Sequence, residues 1–157
     1  MQIGIISDTH DNLPKIEKAV KVFNRNKVSY VLHLGDYIAP FSVAILDKLN
    51  CPWQGVFGNN DGEKEGLLKI SKDKIVNAPL RINLNNKNIT VVHNISTIDV
   101  NKEKADVIFF GHTHKTEIKE GVLPFLLNPG ECCGWLTGVS TIALVNLENL
   151  TYKILKI

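Results

Sequence analysis

The amino-acid sequence predicts an α/β fold of two packed sheets flanked by helices, and three features support that prediction. Short apolar runs alternate with segments of helical periodicity through the first half of the chain. In the second half, apolar runs follow one another across turn signals, as in a strand-rich region. Most runs in the first two thirds are closed by polar residues able to bind a ligand, as where the strand ends of an open α/β sheet line one crevice.

Ile3, Gly4, Ile5 and Ile6 form a buried strand closed by Ser7, Asp8, Thr9 and His10. Asn12 then supplies a helix cap and Pro14 suits the first turn, with Ile16, Ala19, Val20 and Phe23 on one face. Tyr30–Leu34 is a second strand, ending in Gly35-Asp36, and Phe41, Ala44, Ile45 and Leu49 have the spacing of a second helix. Trp53–Phe57 is a third strand, followed by Gly58, Asn59, Asn60 and Asp61, with a short helix expected around Lys64 to Ile70. Leu80–Leu84 and Ile89–His93 read as a hairpin across the Asn/Lys-rich turn at 83–88, and Val107–Phe110 as the next strand. Two further hairpins are expected: Lys115–Lys119 with Val122–Leu127, turning at Glu120-Gly121, and Val139–Leu147 with Leu150–Leu155, turning near Glu148-Asn149.

A chain of 157 residues with 44% hydrophobic content is expected to form a single domain over residues 1–157. The net charge is +2, arginine occurs only at Arg25 and Arg81, and the lysines are scattered, so neither a nucleic-acid groove nor an anionic membrane is an expected partner. The apolar start lacks a basic leader and breaks at Ser7, which argues against a signal peptide or membrane span and for a cytoplasmic protein. Cys51, Cys132 and Cys133 are odd in number and lack CxxC spacing; they read as buried free thiols.

The most informative stretch is Phe109, Phe110, Gly111, His112, Thr113, His114, where a strand delivers two histidines two residues apart, aimed the same way. Neutral imidazole suits zinc, iron, nickel or manganese better than calcium or magnesium. Asp8 and His10 follow the first strand, Asp36 the second, Asn59 and Asp61 the third, and His93 a later one. Asp8, Asp36, Asn59 and the histidines at 10, 93, 112 and 114 exceed the three or four ligands of one zinc site and fit two metals bridged by a carboxylate. Singly, Asp8, Asp36 and Asn59 have a plainer explanation as turn formers, and His93 as a core histidine. Jointly, burying them without a common partner would cost about 1 to 3 kcal/mol for each unsatisfied group. His33 lies inside its strand and reads as structural or as orienting a ligand.

Asp8-Thr9-His10, Gly35-Asp36, Gly58-Asn59-Asn60-Asp61, His93 and Gly111-His112-Thr113-His114 resemble, in order and kind, the five motif blocks of the calcineurin-like metallophosphoesterase superfamily. The likeness runs from Ile3 to about Gly130, and with so little chain outside the motifs the sequence resembles the small YfcE-type phosphodiesterases. That resemblance implies a four-layer αββα sandwich with two mixed sheets and outer helices. It implies one metal on Asp8, His10, Asp36 and His114 and a second on Asp36, Asn59, His93 and His112, with Asp36 bridging. The ions would be divalent transition metals, manganese first, with nickel, iron, cobalt or zinc as alternatives. Asp61 and His33 would orient the ligands from behind. The implied reaction is hydrolysis of a small phosphodiester by a hydroxide bridging the two ions.

The sequence also departs from the family. The larger family has Gly-Asn-His followed by an acid in its third block, and that histidine is thought to assist the leaving group; here Asn60 stands in its place, and an amide is no general acid. Good leaving groups, such as those of aryl diesters, are therefore expected to be favoured, with Asn60 and Asp61 the candidates for a supporting catalytic role beyond the ligands. Asn94 follows His93 where the family usually has Gly-His. The competing class is a metal-binding protein-interaction scaffold of the same fold, as in the retromer's small subunit. The intact ligand positions favour the enzyme and Asn60 favours the scaffold, while the repair-nuclease branch carries extra segments for which this chain has no room. A homo-oligomer is left open. Asn128-Pro129-Gly130 resembles the family's closing segment, and Trp135, soon after it, reads as an edge of the core, the alternatives being a ring stacked on substrate or a subunit contact.

Overall fold

The computed structural model describes residues 1–121 and 123–157. Strand β1 (Gln2–Ile6) leads to helix α1 (Leu13–Arg25), β2 (Tyr30–His33) to α2 (Pro40–Val43), and β3 (Trp53–Val56) to α3 (Lys64–Ser71). The α1 cap is the expected one: Asn12 accepts from the Lys15 amide, proline occupies the first turn, and Ile16, Ala19, Val20 and Phe23 form the buried face. Each of the larger three contributes about 2 kcal/mol on leaving water. The second expected helix is shorter than its spacing suggests, because after Val43 the chain tightens into a 3-10 turn at Ala44–Lys48. Leu49 then goes extended ahead of Pro52, which cannot continue a helix.

A two-residue strand, β4 (Ile75–Val76), pairs with β3; it is too short to show alternation in sequence. β5 (Leu80–Leu84) and β6 (Lys87–Val91) form the hairpin read from the asparagine cluster. Its two turn residues, Asn85 and Asn86, have φ of 52° and 60°, which a two-residue hairpin requires and asparagine tolerates. Two 3-10 turns, Ile95–Thr97 and Val100–Lys102, precede β7 (Val107–Phe109), and β8 (Thr116–Lys119), β9 (Phe125–Pro129), β10 (Thr141–Asn146) and β11 (Thr151–Lys156) complete the order. The strand expected from Val122 begins at Phe125; Val122 itself lies outside the described residues.

The strands form two mixed sheets, ordered β11-β10-β1-β2-β3-β4 and β5-β6-β7-β9-β8. Strands β1 to β4 are mutually parallel, as are β6, β7 and β9, so each sheet sends a set of carboxyl ends to one edge. Between the sheets lies an apolar layer that includes Ile3, Ile5, Leu32, Val91, Phe109 and Leu127. The helices bury a second layer on the outer face of the first sheet, with Phe23, Leu46 and Leu67 at its centre. Over the second sheet the outer layer is thin: Ile95, Ile98 and Val100 from the 3-10 segments cover Val92, Ile108 and Phe110. This is the expected four-layer sandwich, its fourth layer reduced to single turns. Among the described residues no helix is long and apolar enough to cross a membrane.

Candidate metal centre

The loops leaving β1, β2 and β3 are bound to one another before any side chain is considered. Asp8 N–H donates to the Gly35 carbonyl, and the Thr9 and His10 amides both donate to the Asp36 carbonyl. Asp61 is the clamp behind them. Its buried carboxylate accepts from the amides of Asp36, Tyr37, Ile38 and Gly58 at 2.7 to 3.0 Å, joining the β2 and β3 loops. Close approach explains two glycines: a Cβ on Gly58 would strike the Asp36 carboxylate, and one on Gly111 would strike Ser7 and Asp8. Asp8, His10, Asp36, His112 and His114 all have positive φ, between 38° and 70°. Each such non-glycine residue carries strain of about 1 kcal/mol or more, and such conformations cluster where a fold over-determines a functional site.

Those loops bring two groups of donor atoms together. Asp8, His10, Asp36 and His114 each offer one ligand atom, all within 4.8 Å of one another. Beside them, Asn59 Oδ1 lies 2.9 Å from both His93 Nε2 and His112 Nδ1. Asp36 Oδ2 stands between the groups, 3.4 Å from His10 Nε2 and 3.4 Å from His93 Nε2. Donors sharing an ion at about 2.1 Å are separated by about 3.0 to 3.4 Å, so this spacing suits a metal. Two buried atoms sharpen the fit: Asp8 Oδ1 and His10 Nε2 have no hydrogen-bond partner among the described residues. Tyr37 Oη and Trp53 Nε1 are likewise unpaired, but their residues belong to the apolar layer under the helices.

The ring orientations are fixed from behind. His93 Nδ1 is 2.8 Å from the Leu34 carbonyl, which can only accept, so Nδ1 carries the proton and Nε2 turns its lone pair toward Asn59 and Asp36 in the neutral ring. His114 Nδ1 donates in the same way to Glu131, leaving Nε2 3.6 Å from Asp8 Oδ1. Burial raises the Asp8 pKa in spite of the Ser7 hydroxyl bonded to it. Burial also opposes ionisation of Asp36, but bonds from His93 and Asn60 outweigh it and hold that carboxyl well below the usual range. His93 is shifted upward, because the charge and bond of Asp36 overcome its burial. His33 is fully buried, stacked on Tyr37 at 3.8 Å and bonded to Thr9 and the Gly35 amide; burial drives its pKa down to about 3, so it is neutral.

Glu131 was not singled out from sequence. It follows Asn128-Pro129-Gly130, and a carboxylate immediately after a glycine turn was the available signal. Completely buried, it accepts from His114 Nδ1, the Leu136 and Thr137 amides, the Thr137 hydroxyl and the Cys133 thiol. Burial pushes its pKa up, yet the bonds from Cys133, Thr137 and His114 prevail and hold it at about 2. His114, Glu131 and Cys133 are close enough to suggest another metal group. In the protein's own hydrogen-bond network Cys133 donates to Glu131 at 3.0 Å, and burial and that carboxylate push its thiol up to about 12. Cys132 and Cys133 are buried free thiols as expected, whereas Cys51 is half-buried. Trp135 corrects the expectation of a core edge: it is 65% exposed, because the turn built around Glu131 carries it outward, and its Nε1 donates to the His10 carbonyl at 3.2 Å.

Residues 1–150 match the calcineurin-like phosphoesterase superfamily domain. Phosphodiesterase MJ0936 of Methanocaldococcus jannaschii is 35% identical over 161 residues, covering 98% of this chain and 97% of that protein. The chain belongs to the calcineurin-like phosphoesterase superfamily. A solved archaeal phosphodiesterase superimposes with a TM-score of 0.92 at 34% identity, each chain covered completely. Zinc-bound Vps29 of Entamoeba histolytica shares the fold, with a TM-score of 0.73 at 21% identity over 100% of this chain and 98% of that one.

Within this calcineurin-like phosphoesterase, the two departures from the family blocks have structural explanations. Asn60 is committed to the central carboxylate: its amide N–H donates to Asp36 Oδ1 at 2.9 Å and its Nδ2 donates to Asp36 Oδ2 at 2.7 Å. Asn94 accepts from the Ser96 amide and hydroxyl, capping the 3-10 turn after β6.

Proposed function

We propose that this protein is a divalent-metal-dependent phosphodiesterase with a dinuclear site. The observation that carries the reading is the position of Asp36 Oδ2, at 3.4 Å from a nitrogen of each donor group. Asp8, His10, Asp36 and His114 would hold one ion, and Asp36, Asn59, His93 and His112 the other. Mixed carboxylate and imidazole donor sets of this kind admit manganese, nickel, iron, cobalt or zinc, and the resemblance to the family makes manganese the expected ion. When bound, such a pair lowers the pKa of water and neutralises charge on the phosphoryl oxygens. Family membership and the relative named as a phosphodiesterase support the choice of a diester.

The protein's own contribution is orientation. Glu131 and the Leu34 carbonyl hold the proton on Nδ1 of His114 and His93, so each ring presents Nε2. Asp61 fixes the backbone on which Asp36 rides, and Asn60 aligns the Asp36 carboxylate. With its amide engaged in this way, Asn60 supplies no proton to a departing oxygen. Esters whose leaving groups need no protonation, such as aryl diesters, are the favoured substrates. A small diester suits the scattered surface charge better than a nucleic acid.

The decisive experiment is hydrolysis of an aryl phosphodiester and the matching monoester by chelated protein, with manganese, nickel, zinc and magnesium restored in turn, beside Asp36→Asn and His112→Ala. Metal-dependent diester turnover that both substitutions abolish is the expected result. Tight metal binding without turnover would instead establish the second reading, a metal-binding interaction scaffold, which Asn60 in place of a general acid favours.

A further inference from the structure

Trp135 is a large aromatic side chain left exposed beside the donor cluster. Its indole N–H is fixed to the carbonyl of His10, whose side chain belongs to the first donor group, so the ring stands at the rim of that group rather than on a remote surface. It is 65% exposed and its neighbour Leu136 is 74% exposed, a burial pattern that neither packing nor folding requires. The segment beneath is anchored: Glu131 accepts the amides of Leu136 and Thr137, and Thr137 Oγ1 donates to Glu131 while accepting from the Val139 amide. A flat ring on an anchored turn, largely exposed and bonded through its edge, suits stacking against another ring.

We propose that Trp135 is the wall of a substrate subsite that stacks an aromatic ring or nucleobase carried by the diester, so that among diesters those bearing such a ring are bound most tightly. This rests on the phosphodiesterase reading and gives it a specificity-determining residue. Its occupant is the substrate because the ring adjoins the donor cluster through His10, in continuity with the site where the phosphate would lie.

The test measures binding rather than turnover. Manganese-loaded protein is titrated calorimetrically with thymidine 5′-methyl phosphate and with the methyl phosphate diester of the corresponding base-free 1,2-dideoxyribose, two alkyl diesters that differ in the base alone. The thymidine compound is expected to bind about 5- to 150-fold more tightly, the range for one base stacked on an aromatic side chain. Trp135→Phe retains most of that ratio, and Trp135→Leu, which keeps apolar bulk without a flat ring, collapses it toward one. A ratio near one in the native protein, or an undiminished ratio in Trp135→Leu, overturns the proposal. Absence of aryl-diester turnover with every metal would defeat the phosphodiesterase reading separately, since the binding ratio needs no catalysis.

Discussion

Glu131 and His114 form a 2.8 Å hydrogen bond in which the imidazole Nδ1–H donates to a fully buried carboxylate. The same carboxylate gathers two backbone amides, a hydroxyl and a thiol, so a single side chain sets both the tautomer of a donor histidine and the course of the turn carrying Trp135. Replacing Glu131 by Gln removes the charge and turns an NH2 toward groups that all donate. Metal affinity, measured by competition with a chelator, is expected to fall about 10- to 100-fold, the usual consequence of losing such a supporting carboxylate. Thermal unfolding should also move downward, by about 1 to 3 kcal/mol for each donor left unpaired. Undiminished metal affinity would show that Glu131 serves the turn alone.

Asp61 lends itself to an isosteric test. Its two oxygens accept four backbone amides, and Asp61→Asn presents an NH2 to two of them. A loss of about 2 kcal/mol or more in urea unfolding is expected, with weakened metal binding because Asp36 and Gly58 lose their shared anchor. Stability within experimental error of the native protein would remove Asp61 from the structural account.

Asn60→His exchanges two roles at once. The amide bond to Asp36 Oδ2 is lost and a possible proton donor is gained. Alkyl diesters should improve relative to aryl diesters, even if both rates decline through the disturbed carboxylate. An unchanged aryl-to-alkyl ratio of kcat/KM would refute the leaving-group explanation.

His33 makes stability depend on pH in a defined direction. Its pKa in the fold is about 3, against 6.5 when exposed. Between those values the unfolded chain binds a proton that the folded chain does not, so stability falls as pH drops below about 6.5. The limiting slope is about 1.4 kcal/mol per pH unit. His93, with its raised pKa, acts in the opposite sense: its stabilisation is present below 6.5 and is lost as pH rises through the folded value. Comparing native protein with His33→Gln in chelator between pH 5 and 6.5 cancels that contribution, and the variant should show the shallower slope. Equal slopes would mean that His33 is protonated in the folded protein.

Much of the fold was legible because the relevant signals are local. The buried face of α1 is the one its 3.6-residue period marks, and the Asn85-Asn86 turn lies within the asparagine cluster. What escaped depended on distance or brevity. β4 has two residues and no period of its own. The second helix has the spacing of an α-helix, but the approach to Pro52 cuts it short. At the site, the meeting of Asp8, His10, Asp36, Asn59, His93, His112 and His114 was legible in their places at strand ends, whereas the bonds of Glu131 and Asn60 emerge only when chain segments far apart in sequence meet. The exposure of Trp135 was likewise unreadable, since an aromatic residue near a glycine suits a core rim and a protruding turn equally well.

The carboxyl ends that converge on Asp36 come from different sheets. Asp8, His10, Asp36 and Asn59 follow β1, β2 and β3 of one, while His93, His112 and His114 follow β6 and β7 of the other. An ion in either donor group would therefore act as a rivet through both sheets at the end where the loops are most strained. At a free metal concentration of 100 times Kd, one such rivet adds about 2.7 kcal/mol to the folded state. Loading the protein with metal would then be an act of assembly as much as of activation, closing the sandwich along the edge at which it works.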